Sequence, residues 1–126
     1  MNIEEIRDHC LAKPGVTEGF PFDEVTLVFK VMNKMFALTG LETDPPYVNL
    51  KCDPERAIEL RGQYESIKPG YHMNKAQWNS VYYTGGMPRD LVLELIDHSY
   101  DLVVQGLKKK DREELERIRS GTRNSP

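Results

Sequence analysis

At 126 residues and 39% apolar composition the chain has the material for one ordinary hydrophobic core. It contains no apolar run approaching a membrane span, and its opening Met1-Asn2-Ile3-Glu4-Glu5 is acidic and lacks the apolar stretch of a secretion signal, so a cytoplasmic protein with no membrane attachment is expected. A net charge of −3 argues against a globally basic nucleic-acid binder.

Asn2 followed by Glu5 fits an N-cap with its capping-box partner, and Ile3, Ile6, Cys10 and Leu11 fall near one helical face. Lys13-Pro14-Gly15 ends that helix. Phe20-Pro21-Phe22 is too constrained by proline for a helix and is expected to plug one end of the core. Val25, Leu27, Phe29 and Val31 then alternate with Thr26, Val28 and Lys30, the period-two pattern of a strand. Asn33-Lys34 turns the chain into a hairpin partner, Met35 to Thr39. After a loop over Leu41 to Pro46, a third strand from Tyr47 to Cys52 puts Val48, Leu50 and Cys52 on one face and Tyr47, Asn49 and Lys51 on the other.

Asp53-Pro54 opens a short helix, as a capping carboxylate followed by proline at the first helical position. Its buried stripe is expected from Ala57, Ile58, Leu60 and Tyr64. Ser66-Ile67-Lys68 reads as a brief strand and Trp78 to Tyr83 as another, with Trp78, Ser80 and Tyr82 sharing a face. Gly85-Gly86 breaks it. The longest helix then runs from about Arg89 to Leu107, with an apolar stripe wide enough to lie across a sheet. A short final helical turn docks through Leu115 and Ile118, giving a single domain over residues 1–119 and a frayed tail over residues 120–126.

The stretch from Pro69 to Asn79, between the last two strands, concentrates Tyr71, His72, Asn74, Lys75 and the only tryptophan, Trp78. Connections rich in specific polar and aromatic side chains on a rigid scaffold are where binding usually sits. The alternative is that Tyr71, Met73 and Trp78 pack into the core while His72 and Asn74 satisfy the turn. Binding to nucleic acid needs cations spaced to meet phosphates and polar or aromatic groups for bases. The candidates are His72, Asn74 and Lys75 in this stretch and Asn49 and Lys51 on the third strand, with Lys34 and Lys68 added. In the C-terminal segment Lys108, Lys109, Lys110, Arg112, Arg117, Arg119 and Arg123 outnumber Asp111, Glu113, Glu114 and Glu116, so the rest of the chain is more acidic than the total. Binding to DNA therefore requires a dipolar surface.

Residues 69–81, PGYHMNKAQWNSV, closely resemble the signature segment of the MmcQ/YjbR family of small bacterial proteins. Phe20-Pro21-Phe22, the run from Val48 to Pro54 and the run from His98 to Val103 match the same pattern in order. The resemblance runs from about Ile3 to Leu115. It implies an α+β domain of the CyaY-like kind, an antiparallel sheet flanked by an N-terminal, a short central and a long C-terminal helix, in a family usually described as DNA-binding. It singles out Lys51, His72, Asn74, Lys75 and Trp78, and it implies a winged arrangement with Asn33-Lys34 at a wing tip.

Other chemistries find less support. No nucleophile motif is present, and His9 and His98 lie within helices, which leaves His72 with Lys75 as the one pair suited to a small anion. Cys10 and Cys52 form no CxxC, so reduced buried thiols are expected, with no disulfide and no zinc. Glu4, Glu5, Asp8, Glu18, Asp23 and Glu24 lack the density of a hard-cation site. The reading is a monomeric, non-enzymatic DNA-binding protein without cofactor or metal. The alternatives are a protein-interaction or chaperone-like module, and a small-anion-binding protein or enzyme built on His72 and Lys75.

Overall fold

The Asn2 side chain accepts the Glu5 N–H at 2.9 Å and so caps α1 (Ile3–Leu11), burying Ile6 and Cys10. The computed structural model describes residues 1–121. After α1 come β1 (Val16–Gly19), β2 (Thr26–Val31), β3 (Lys34–Gly40), β4 (Val48–Lys51), α2 (Pro54–Gln63), β5 (Ile67–Pro69), β6 (Trp78–Val81), α3 (Arg89–Gln105) and α4 (Lys109–Gly121). The strands form one antiparallel sheet in the order β1-β2-β3-β4-β6-β5. The result is a single α+β domain.

Alternation decides which side chains meet the helices. Leu27, Phe29 and Val31 of β2, Val48 and Leu50 of β4, and Val81 of β6 join Ile6, Val92, Leu95 and Ile96 in the main core. Burying each such side chain contributes about 1.5–3 kcal/mol. Phe36 meets Tyr100 of α3 edge-on, with ring centroids 5.4 Å apart. On the other face of the sheet Val28, Leu38 and Trp78 form a small second cluster with Met35 and Met73. The segment over residues 70–77 lies against this side, leaving the rest of the face open.

The β3–β4 ladder ends at Ala37 and Leu50, beside a register shift between Phe29 and Lys30. Beyond it, buried Ser99 of α3 donates its hydroxyl to the Phe36 carbonyl at 2.6 Å and accepts the Lys51 N–H at 2.9 Å. Neighbouring His98 accepts the Asp53 N–H through Nε2 at 3.2 Å, and Tyr100 donates to the Pro14 carbonyl at 2.6 Å. The His98-Ser99-Tyr100 run thus ties α3 to the end of β4 and to the turn after α1.

Several expected details are corrected. Phe20 and Phe22 are 48% and 63% exposed and plug nothing, because the segment passes outside the end of the sheet. Ile58 is 66% exposed, so the buried stripe of α2 is narrower than its apolar residues imply. The hairpin turn is Met32-Asn33, both at positive φ as a two-residue primed turn requires, and Lys34 already belongs to β3. The strand β1 was not expected. The last element is a full helix, α4, anchored by buried Leu115 against Gly15, where an added Cβ would lie 2.7 Å from Leu115 Cδ1. Of the tail expected to fray, Ser120 and Gly121 close α4 and residues 122–126 lie outside the described residues.

Candidate nucleic-acid interface

The segment from Gly70 to Gln77 is held from both sides of the sheet. On the open side, Asn49 Nδ2 donates to the Tyr71 carbonyl at 3.1 Å and the Tyr71 N–H donates to Ser80 Oγ at 2.9 Å. The Ser80 hydroxyl donates in turn to Asn49 Oδ1. On the helix side, Arg61 of α2 donates to Asn79 Oδ1 at 2.9 Å and to the Lys75 carbonyl at 2.8 Å. The Gly70 N–H donates to the Trp78 carbonyl at 2.8 Å, and a Cβ at Gly70 would lie 2.7 Å from Trp78 Cβ. Only glycine permits that approach.

Much of the signature is spent on this construction. Asn74 Oδ1 accepts the Ala76 N–H at 3.0 Å, and the Asn74 carbonyl accepts Gln77 and Trp78 N–H groups at 3.1 and 2.9 Å. Lys75 Nζ donates to the Gly70 carbonyl at 3.2 Å. Trp78 is buried against Val28 and Leu38. Asn49 is only 6% exposed and its amide is consumed beneath Tyr71, which leaves it no face for a nucleic acid. Alternation with Val48 and Leu50 puts Asn49 on the face away from the main core, so no signal in the sequence marks its burial. Tyr71 and His72, by contrast, remain exposed, with their rings 4.0 Å apart and His72 at φ 60°.

On the open face the strands carry cations and no carboxylate, whereas the helical layer carries both signs. Lys30, Lys51 and Lys68 alternate with core residues and so project from the open face, but Lys34 pairs with core residue Val31 and so falls on the helix side, apart from the other three. The single acidic strand residue, Glu18, lies on the helix side, where Arg7 of α1 pairs with it at 2.6 Å. The acids concentrate in the helical layer, with Glu4, Glu5 and Asp8 against Arg7 in α1, and Asp90, Glu94, Asp97 and Asp101 against Arg89 in α3. Lys30, Lys51 and Trp78 lie toward one end of the open face, with Lys75 on the adjoining segment.

The opposite end of that face holds a pocket of about 640 Å³ bounded by Phe22, Asp23, Glu42, Tyr47, Tyr71 and His72, among others. Asp23 accepts the Val25 and Thr26 N–H groups, and these bonds hold its carboxyl below the usual range. Partial burial, reinforced by Tyr82 and Tyr71, pushes the Tyr47 phenol up. Lys75 does not line this pocket, so His72 and Lys75 do not converge as a small-anion site would require. Three of the acids weighed for a cation site are already engaged: Glu5 with Arg89, Glu18 with Arg7, and Asp23 with backbone. Among the described residues no group of three or more His, Cys, Asp or Glu could hold a metal ion, and no helix is long and apolar enough to cross a membrane.

The YjbR family model matches residues 11–102, from the end of α1 through most of α3. The chain belongs to the YjbR family. It is 41% identical over 112 residues to the uncharacterized protein YbdF of Escherichia coli O157:H7, covering 89% of each chain. It is 36% identical to the uncharacterized protein YjbR of Escherichia coli K12, covering 89% of this chain and 95% of that one. Among solved structures, the Deinococcus radiodurans protein DR2400, a DUF419 domain, superposes with a TM-score of 0.85 at 44% identity, over 91% of this chain and 88% of that one. The matched span includes the clamped segment between β5 and β6.

Proposed function

We propose that this YjbR-family chain binds DNA through the lysine-bearing end of the open sheet face. The observation that carries the reading is the lysine-only charge of the open strands: Lys30, Lys51 and Lys68 share a face whose strands present no carboxylate, while the helices behind the sheet carry both acids and cations. A protein of net charge −3 can meet a polyanion only through such a cation-bearing face. Lys75 on the segment after β5 extends the strip, with exposed Asn74 beside it, whereas His72 borders the pocket at the opposite end. Asn49 acts from below, by holding the segment in place.

The test is anisotropy of a labelled duplex across a salt series, for the wild type and for Lys51→Gln and Lys68→Gln. Saturable binding should weaken with salt, and each substitution should lower the salt slope by about one. No binding at low salt, where attraction is strongest, would overturn the reading.

A cytoplasmic setting is part of the same proposal. It is supported by Cys10 and Cys52, both unpaired and buried, whose thiols burial pushes up to about 12 and about 11.

The second reading, a protein-interaction module, draws on Phe20, Phe22, Leu41 and Tyr71, large apolar side chains left exposed on loops.

A further inference from the structure

The pocket at the far end of the open face carries a wall chemistry that selects its occupant. Tyr47 and Tyr71 both line it and meet edge-on, with ring centroids 6.3 Å apart and planes at 84°. Phe22, 63% exposed, contributes a third aromatic surface. Asp23 and Glu42 bring carboxylates; His72, its ring centroid 4.0 Å from that of Tyr71, also lines the space, and among the described residues no lysine or arginine does. Its volume of about 640 Å³ falls within the range of about 300–1,000 Å³ usual for small-ligand sites.

Aromatic faces carry the negative part of the ring quadrupole and attract a cation placed over them. Carboxylates nearby add direct Coulomb attraction, and both features repel an anion. We propose that this pocket binds a small organic cation, an alkylammonium head seated between Tyr47 and Tyr71 with Asp23 and Glu42 opposite its charge. The backbone N–H groups of Val25 and Thr26 keep Asp23 ionised in that role. Because the lysine strip lies toward the other end of the face, this inference does not depend on nucleic-acid binding.

The experiment is calorimetric titration with choline and with its neutral carbon isostere, in which a tert-butyl group replaces the trimethylammonium. Saturable choline binding at least about tenfold tighter than the isostere is expected, the discrimination that about 1.4 kcal/mol of cation–π and Coulomb attraction provides. Tyr71→Phe should retain binding, Tyr71→Leu should lose about tenfold and Glu42→Gln a few-fold. Both positions are exposed, so these variants should keep the wild-type circular dichroism and Tm. A third titrant, acetyl-trimethyllysine amide, separates sources: if it binds tighter than choline, the head belongs to a protein side chain, and if weaker, to a free small molecule. Equal binding of the isostere, no saturable choline binding, or displacement of choline by benzoate would overturn the proposal.

Discussion

Asn49 and Ser80 face each other across the β4–β6 ladder, and with the backbone of Tyr71 they close a ring of hydrogen bonds. The asparagine takes the Tyr71 carbonyl, the serine takes its N–H, and the two side chains bond to one another. Both residues are buried, so each partner lost leaves a desolvated polar group behind. Asn49→Ala is expected to cost about 1–3 kcal/mol in urea unfolding and to speed hydrogen exchange at the Tyr71 amide. A variant that weakened DNA binding with no loss of stability would instead make Asn49 a direct contact.

Gly70 is where the signature segment turns beneath Trp78. With a Cβ 2.7 Å from Trp78 Cβ and 2.9 Å from the Trp78 carbonyl, Gly70→Ala must push the segment away from the tryptophan. A loss of about 1–3 kcal/mol is expected, as for overpacking in a well-filled interior. A red shift of the Trp78 fluorescence should accompany it, since this is the only tryptophan and it is buried under that segment.

Ser99→Ala removes the hydroxyl that serves both the Phe36 carbonyl and the Lys51 N–H. Each stranded backbone group costs about 1–3 kcal/mol, so Ser99→Ala should destabilise more than Ser120→Ala on the exposed face of α4. Denaturant titration of the two variants side by side gives the comparison.

Asp97 of α3 meets His9 Nε2 at 2.7 Å and also Lys13, joining α1 and the turn after it to the long helix. Partial burial pushes the carboxyl up, but hydrogen bonds from Lys13 and His9 outweigh it and hold it below its usual 3.8. A depressed carboxylate contributes stability above its unfolded value, and that contribution is lost as pH falls through the folded value. Stability should therefore drop on acidification below about pH 4, and Asp97→Asn should flatten that part of the curve. The side chain is 45% exposed, so solvent screening limits the effect to about 1 kcal/mol or less. Thermal melts at a series of pH values measure it.

Where pattern and structure agree, the signal is local. The alternation of β2, β4 and β6 needs only the two-residue repeat of a strand, and the Asn2 and Asp53 caps need only a carbonyl or carboxylate three residues from an N–H. Where they diverge, the deciding contact is distant. The four residues of β1 carry little apolar pattern and exist as a strand because β2 pairs along their whole length. Among α4's side chains Leu115 is the buried one, and Gly15 supplies the space it fills.

The faces of the central strands and the capped starts of α1 and α2 were determined by the sequence alone, because periodicity and capping act between near neighbours. Only the tertiary structure decided that Asn49 is a clamp, that Ser99 serves two backbone groups, and that Lys30, Lys51 and Lys68 share a sheet face whose strands carry no carboxylate. The partners of Asn49 lie 22 and 31 residues away, and Ser99 reaches a backbone N–H 48 residues away. Such groups meet through strand order and helix packing, which no short-range pattern encodes. The same packing left Phe22 and Tyr71 exposed beside Tyr47, and with them a pocket whose walls come from four separate stretches of chain.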